Sequence, residues 1–309
     1  MKWLFIGPHM KSGIGHVTRR YAELVNAEFC EFTNTPKETE YDIGFAFLIP
    51  MDWQVRMFKE RFVPLCKKVI VMTVCETETV HPQYSMLLEF QPIYCPSEYS
   101  RKILERQFGG EWRLLYHNSP ELQISRVVPE HPYTFYTIGN VADYRKNVRM
   151  MIEAFIRLQM PDCILVLKAT TVEPLNWNIR NVYVVQEMLT DEELDKFHAH
   201  CDCYVNCSFS EGVGMGAVEA AIRDKPVIIT DYGGLKEYVK TPYMVETKMG
   251  YVGRDDFLYL KNMEWGIPSL ESLMKHMKTC YDMRLVKQDH SFTRSINKNG
   301  LNFFTSANS

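Results

Sequence analysis

The sequence predicts an α/β protein made of two successive sets of parallel strands flanked by helices. Three observations carry that expectation. Short apolar runs alternate with amphipathic stretches in the first part of the chain, the pattern of parallel strands covered by helices. The alternation lapses over residues 117–132, where Pro120, Pro129 and Pro132 stand in a stretch without periodicity that reads as a linker. It then resumes at Tyr133. A chain of 309 residues is long enough for two modest domains, and the division expected is 1–128 and 129–286.

In the first set, strands are expected at residues 2–6, 28–33, 43–47, 69–74, 93–95 and 113–116, and helices at 15–26, 53–62 and 98–108. The first apolar run stops at Gly7-Pro8. The helix over 98–108 has Ser97 to cap its start and Gly109-Gly110 to end it. In the second set, strands are expected at 133–138, 164–168, 182–185, 203–207 and 227–230, with helices at 147–158, 191–199, 217–223 and 269–284. Thr190-Asp-Glu-Glu193 has the form of a capping box. The polar tail from Ser291 carries Phe292, Ile296, Leu301, Phe303 and Phe304 at loosely helical spacing.

Composition narrows the class. Hydrophobic content of 46% and charged content of 24% are those of an ordinary globular protein. A net charge of −3 without a long basic run argues against nonspecific nucleic-acid binding. The nine cysteines lack paired Cys-x-x-Cys spacing; they read as buried reduced thiols, which implies a reducing compartment, the cytoplasm. No apolar run approaches the length of a membrane span. The apolar start at residues 2–6 is too short for a signal peptide and reads as a strand.

The most informative segment is Ser208-Phe-Ser-Glu-Gly-Val-Gly-Met-Gly-Ala-Val-Glu219. An apolar strand leads into a turn holding Gly212, Gly214 and Gly216, and a helix follows. That arrangement points unpaired backbone N–H groups and the positive end of a helix dipole at one place, which suits a phosphate or a sugar hydroxyl. Glu211 stands at the mouth of the turn. Glu219 lies two turns into the helix, about 12 Å along its axis if every intervening residue is helical, so two carboxylates can grip two parts of one elongated ligand. A single glycine turn needs no ligand to explain it. Here Asp231-Tyr-Gly-Gly-Leu-Lys-Glu237 repeats the arrangement after the next strand, and two such turns share the carboxyl edge of a parallel sheet, where open α/β folds bind ligands.

These segments resemble the signature of retaining GT-B glycosyltransferases of the family-4 type. That signature reads Glu-Gly-Phe-Gly-Leu-Pro, a second glutamate eight residues after the first, then a strand and Gly-Gly-x-x-Glu. Val213, Met215 and Gly216 stand where the family has Phe, Leu and Pro. The resemblance implies a GT-B architecture, two Rossmann-like α/β/α domains facing across a cleft, with an acceptor-side domain at 1–128 and a nucleotide-sugar domain at 129–286. It also implies that the tail, residues 287–309, crosses back to the first domain. The implied reaction moves a sugar from a nucleoside-diphosphate sugar, UDP- or GDP-linked, to a hydroxyl of a glycan, glycolipid or other acceptor, with retention at the anomeric carbon.

The resemblance also assigns roles. In the family an Arg and a Lys in the loop after the first strand of the second domain clasp the donor diphosphate. In Tyr136-Thr-Ile-Gly-Asn-Val-Ala-Asp-Tyr-Arg-Lys-Asn147, Lys146 falls on the Lys position, but Asn140 falls on the Arg position, with Arg145 as the replacement charge; on the residues alone, Arg145 and Lys146 read equally as solvated loop cations. Lys146 and the N–H groups of Gly212, Val213, Gly214 and Met215 would stabilise the departing diphosphate. Glu211 would hold the donor sugar and Glu219 the ribose hydroxyls. Gly13 and Gly15 match a first loop that closes on the donor phosphates. Cys75-Glu76-Thr77 resembles a Glu-Thr pair beside the reacting sugar, which makes Glu76 a candidate for acceptor binding or simply a strand-end charge.

No His/Cys cluster has zinc spacing and no Asp-x-Asp follows a strand; Asp255-Asp256 sits in a polar loop. Neither a metal nor another cofactor is expected. Gly13 and Gly15 do not make the Gly-x-Gly-x-x-Gly of a nicotinamide enzyme. Three alternatives stay open: a GT-B sugar-nucleotide epimerase or hydrolase, a relative that binds the donor without turnover, and, least favoured, that nicotinamide enzyme.

Overall fold

The computed structural model describes residues 1–9, 12–119, 132–171, 175 and 177–306. Pro120 and Pro129 of the expected linker lie outside them. The chain forms two compact units, one of Met1–Asn118 with Val252–Met263 and Asn297–Ser309, the other of Ser119–Tyr251 with Glu264–Ile296.

The first unit holds six strands, β1 (Trp3–Gly7), β2 (Glu28–Glu31), β3 (Tyr41–Phe47), β4 (Cys66–Met72), β5 (Ile93–Cys95) and β6 (Trp112–Leu114), in the order β2-β1-β3-β4-β5-β6. Every pairing is parallel. Helix α1 (Gly13–Leu24) starts where the Ser12 side chain accepts from the Gly15 N–H. Glycine is required at Gly15, because a Cβ there would lie 2.3 Å from the His9 carbonyl oxygen and 2.5 Å from that of Pro8. The helix expected over 53–62 is α2 (Asp52–Met57) followed by a wider π-helical turn, Phe58–Phe62, which buries both phenylalanines ahead of Pro64. Helix α3 (Glu98–Phe108) has the Ser97 cap and Gly109 stop read from the sequence.

The second unit holds β7 (Tyr133–Gly139), β8 (Cys163–Ala169), β9 (Val182–Val185), β10 (Cys203–Asn206), β11 (Val227–Thr230) and β12 (Met244–Val245), in the order β12-β11-β10-β7-β8-β9, again all parallel. The helices are α4 (Val148–Leu158), α5 (Asp191–His200), α6 (Met215–Ile222), the short α7 (Leu235–Tyr238) and α8 (Leu270–Asp282). Thr190 and Glu193 form the expected capping box. Chain order runs outward in one direction from β7 and in the other from β10. The loops leaving β7 and β10 therefore flank a topological switch point, the place where a doubly wound sheet opens a crevice at its carboxyl edge. Leu165, Leu167, Val205 and Ile228 form the core with Met151, Phe155, Leu273 and Met277 of α4 and α8.

After β12 an antiparallel hairpin, β13 (Thr247–Tyr251) and β14 (Glu264–Pro268), belongs to the second unit while the twelve residues between its strands belong to the first. Helix α9 (Ser291–Ser306) ends the described chain, and within the first unit its Phe304 packs on Trp3, Phe5, Tyr21 and Phe45. All nine cysteines are unpaired and eight are buried. Among the described residues no helix is long and apolar enough to cross a membrane.

Candidate active site at the carboxyl edge of the second sheet

The loop after β7 is shaped by its own side chains. Asn140 Oδ1 accepts from the Ala142 N–H at 3.3 Å, and Asp143 accepts from the Arg145 N–H at 2.9 Å, closing a single 3-10 turn, Tyr144–Lys146. Asn147, in the left-handed region at φ 51°, stops that turn and opens α4. The result turns both cations toward the loop after β10. Lys146 Nζ donates to Glu211 Oε1 at 2.6 Å, and Arg145 Nη1 donates to Glu211 Oε2 at 2.9 Å and to the Ser210 carbonyl at 2.6 Å. Arg145 is thus a brace between the two loops, which replaces the reading of it as a solvated charge.

Glu211 is 5% exposed. Its Oε1 also accepts from Ser208 Oγ at 2.8 Å and Asn206 Nδ2 at 3.3 Å. Burial pushes this carboxyl up, but Lys146 and Arg145 together outweigh burial and hold it well below the usual carboxylate range. The cluster of two cations and one carboxylate carries a net positive charge at the mouth of the crevice.

The two glycine turns lock onto each other. The Gly234 N–H donates to the Glu211 carbonyl at 2.7 Å, and Gly233, at φ +78°, leaves no room for a Cβ, which would sit 2.8 Å from that same oxygen. Gly214, at φ +73°, starts α6. Gly216 stands where the family has proline because a Cβ there would lie 2.4 Å from the Tyr204 hydroxyl, which itself donates to the Ile138 carbonyl at 3.2 Å. The first bonds of α6 run from Ala217 and Val218 to the Gly214 carbonyl, which leaves the N–H groups of Met215 and Gly216 directed from the helix start.

Glu219, one turn further along α6, is buried. Its Oε2 lies 4.0 Å from Nε2 of His198 on α5, and Nδ1 of that histidine is 2.7 Å from the Tyr136 hydroxyl. The second unit therefore brings together Asn140, Arg145, Lys146, Glu211, Gly212, Val213, Gly214, Met215 and Glu219. Gly13, Gly15 and Glu76 belong to the first unit. There Gly13 and Gly15 lie in α1, and Glu76 accepts a hydrogen bond from the Tyr259 hydroxyl. Ile49, Val74, Val80, Tyr84 and Leu258 line a pocket with Glu76 and Tyr259. His81 caps a 3-10 turn through Gln83.

Sequence reasoning missed Asn206, Ser208, His198 and Tyr136, which orient the two glutamates from behind, and Tyr259. Ser208 is adjacent to the motif and could have been found; His198 and Tyr259 carry no local signal. Among the described residues no group of three or more His, Cys, Asp or Glu side chains converges as metal ligands.

Residues 119–243 match the family model described as glycosyl transferases group 1. No curated protein sequence matches the chain. Among solved structures, it is similar to a sucrose-phosphate synthase from Thermosynechococcus elongatus at TM-score 0.66 and 13% identity, covering 99% of this chain and 94% of that one. It is similar to the lipopolysaccharide outer core galactosyltransferase WaaB in its apo form at TM-score 0.60 and 12% identity, over 99% of this chain and 100% of that one. A UDP-forming α,α-trehalose-phosphate synthase from Burkholderia xenovorans matches at TM-score 0.55 and 10% identity, over 86% of this chain and 72% of that one. Two parallel six-stranded sheets and these likenesses make the fold GT-B, and residues 119–243 are similar to the glycosyl transferases of group 1.

Proposed function

We propose that the second unit binds a nucleoside-diphosphate sugar and that the chain transfers the sugar to an acceptor hydroxyl with retention at the anomeric carbon. The observation that carries this reading is the part-buried Arg145–Lys146–Glu211 cluster set between two interlocked glycine turns at the switch point. Preorganised cations and helix-start N–H groups stabilise charge as it develops on a leaving diphosphate, and they need no reorganisation to do so. The bond from the anomeric carbon to the β-phosphate oxygen breaks, the acceptor oxygen bonds to the same face, and its proton passes to a phosphate oxygen. Glu211 steadies Lys146 and holds the donor sugar, while Glu219 takes the ribose hydroxyls.

UDP is the first donor nucleotide to test, because the Burkholderia neighbour is UDP-forming. On the acceptor side we assign Glu76, in the first unit, to a hydroxyl of a glycan, glycolipid or other acceptor. The pocket around it is mostly apolar, which favours an acceptor with an apolar portion. The reaction is proposed to need no metal or other cofactor and to run in the cytoplasm, in keeping with the buried, unpaired thiols.

A thermal-shift screen of UDP, GDP, ADP and their sugars tests the reading. A ligand at 100 times its Kd stabilises by about 2.7 kcal/mol, so the matching diphosphate raises Tm clearly. No shift with any of them contradicts the proposal. With donor and acceptor together, the anomeric configuration of the product, read by NMR, separates retention from inversion.

A further inference from the structure

Lys168 is a buried cation with no ion pair among the described residues. It is the next-to-last residue of β8 and is 4% exposed. Its ammonium donates to the carbonyl of Ala169 at 2.9 Å, and among the described residues no carboxylate lies within ion-pair distance. Burial lowers its pKa, against a weaker pull from Glu187. A buried charge without an opposite partner costs stability, so a lysine that has no carboxylate partner among the described residues calls for an anion.

Its place in the sheet says what that is. Side chains alternate along a strand. Leu165, Leu167 and Ala169 enter the core with α4 and α8, so Val166 and Lys168 face the opposite side. Lys168 pairs with Ile138, and Ala169 with Gly139, the two residues that end β7. The backbone of Ile138 is held by the Tyr204 hydroxyl, the atom against which Gly216 at the start of α6 is packed. On the other flank, the position a Cβ would take at Gly139 is 4.0 Å from the ammonium of Lys146. Lys168 thus stands one strand from the end of β7, whose following loop carries Lys146, on the face of the sheet opposite α4 and α8.

We propose that Lys168 is the second cation of the diphosphate site, reaching from the neighbouring strand to take the role left open where Asn140 stands in place of the family's arginine. This inference rests on the donor reading above and adds a phosphate-binding residue to it. The charges support it. Arg145, Lys146 and Glu211 sum to one positive charge, and Lys168 brings the total to two, which matches a diphosphate better. The carbonyl of Ala169 is then a resting partner that the ammonium leaves, or shares, when a phosphate oxygen arrives.

The test compares wild type with Lys168→Met and Lys168→Arg, with Tm of the unliganded proteins and Kd for UDP, GDP and ADP measured by calorimetry, and the corresponding nucleosides as phosphate-free probes. Lys168→Met is expected to melt at the same temperature as wild type or higher, since a buried unpaired charge is gone, and to bind the preferred diphosphate at least tenfold more weakly, with nucleoside binding within about twofold of wild type. Lys168→Arg is expected to keep diphosphate affinity within about threefold. Undiminished diphosphate affinity in Lys168→Met overturns the inference. So does a drop in unliganded Tm with equal losses for diphosphate and nucleoside, which marks a structural lysine. Should Lys168→Met fail to fold, Lys168→Gln gives the same comparison, and failure of both to fold shows the cation to be structural. A wild-type protein that binds none of the three diphosphates overturns the donor reading first and the inference with it.

Discussion

Lys146 and Glu211 meet in a 2.6 Å ion pair that joins the loop after β7 to the loop after β10 across 65 residues of sequence. With Arg145 on the other carboxylate oxygen, this contact sets the distance between the two loops and so the width of the candidate site.

Glu211→Gln strands two cations that share one carboxylate. Removing one partner of a buried ion pair costs about 3–5 kcal/mol, and the lower end of that range is expected because Lys146 is partly solvated. The acid limb changes too. A carboxyl held below its ordinary range contributes stability that is complete above its unfolded-state pKa of about 4.3 and is lost as pH falls toward its folded-state value. Urea melts from pH 7 down to pH 2 should therefore show a shallower loss of stability below about pH 5 in Glu211→Gln than in wild type. Parallel curves would remove the ion pair as the source of acid sensitivity.

Gly216 and Tyr204 are expected to be coupled. Gly216→Ala places a Cβ 2.4 Å from the Tyr204 hydroxyl, and overpacking of this kind costs about 1–3 kcal/mol. Tyr204→Phe removes the obstructing oxygen. In a double-mutant cycle the pair should therefore lose less stability than the sum of the single changes. Additive losses would show that the clash is relieved by some other movement.

Most of the second sheet and both glycine turns were legible in the sequence, because most strands there are short apolar runs and α5 carries a capping box. Strands β9 and β11 and helix α3 fall on the residues expected. What escaped notice depended on contacts between distant residues. The hairpin of β13 and β14 is made of strands with mixed exposure and no alternation, so it left no periodic trace. Arg145 looked like a loop charge because its partners lie 65 and 66 residues further on. The nearness of Glu219 to His198 left no trace either, because the histidine lies on a helix that precedes it in the chain and comes beside it only in the folded sheet.

Glu219→Gln tests the ribose assignment. Loss of a charge-assisted hydrogen bond costs about 1.5–3 kcal/mol, so Kd for the preferred nucleoside diphosphate should rise by one to two orders of magnitude, on the conversion of about 1.4 kcal/mol per tenfold. Binding of inorganic pyrophosphate should stay at the wild-type level. Equal weakening of both ligands would mean that Glu219 acts through the helix and touches no ribose.

Turnover is expected to persist in excess EDTA. Two helix starts supply about half a positive charge each, and with Lys146 they come to roughly the two charges a magnesium ion would bring to a diphosphate. If EDTA abolishes activity and magnesium or manganese restores it, the leaving-group site is assigned to the wrong groups.

The central claim is that Lys146 stabilises the diphosphate as it leaves, and its most direct test is kcat of Lys146→Ala with a donor that wild type turns over. Loss of one preorganised electrostatic contact lowers kcat on the order of 100-fold or more, and that is the result predicted, in a variant whose unliganded Tm shows it folded. A kcat within a few-fold of wild type would contradict the account and move the leaving-group role to another cation, with Arg145 the first to examine.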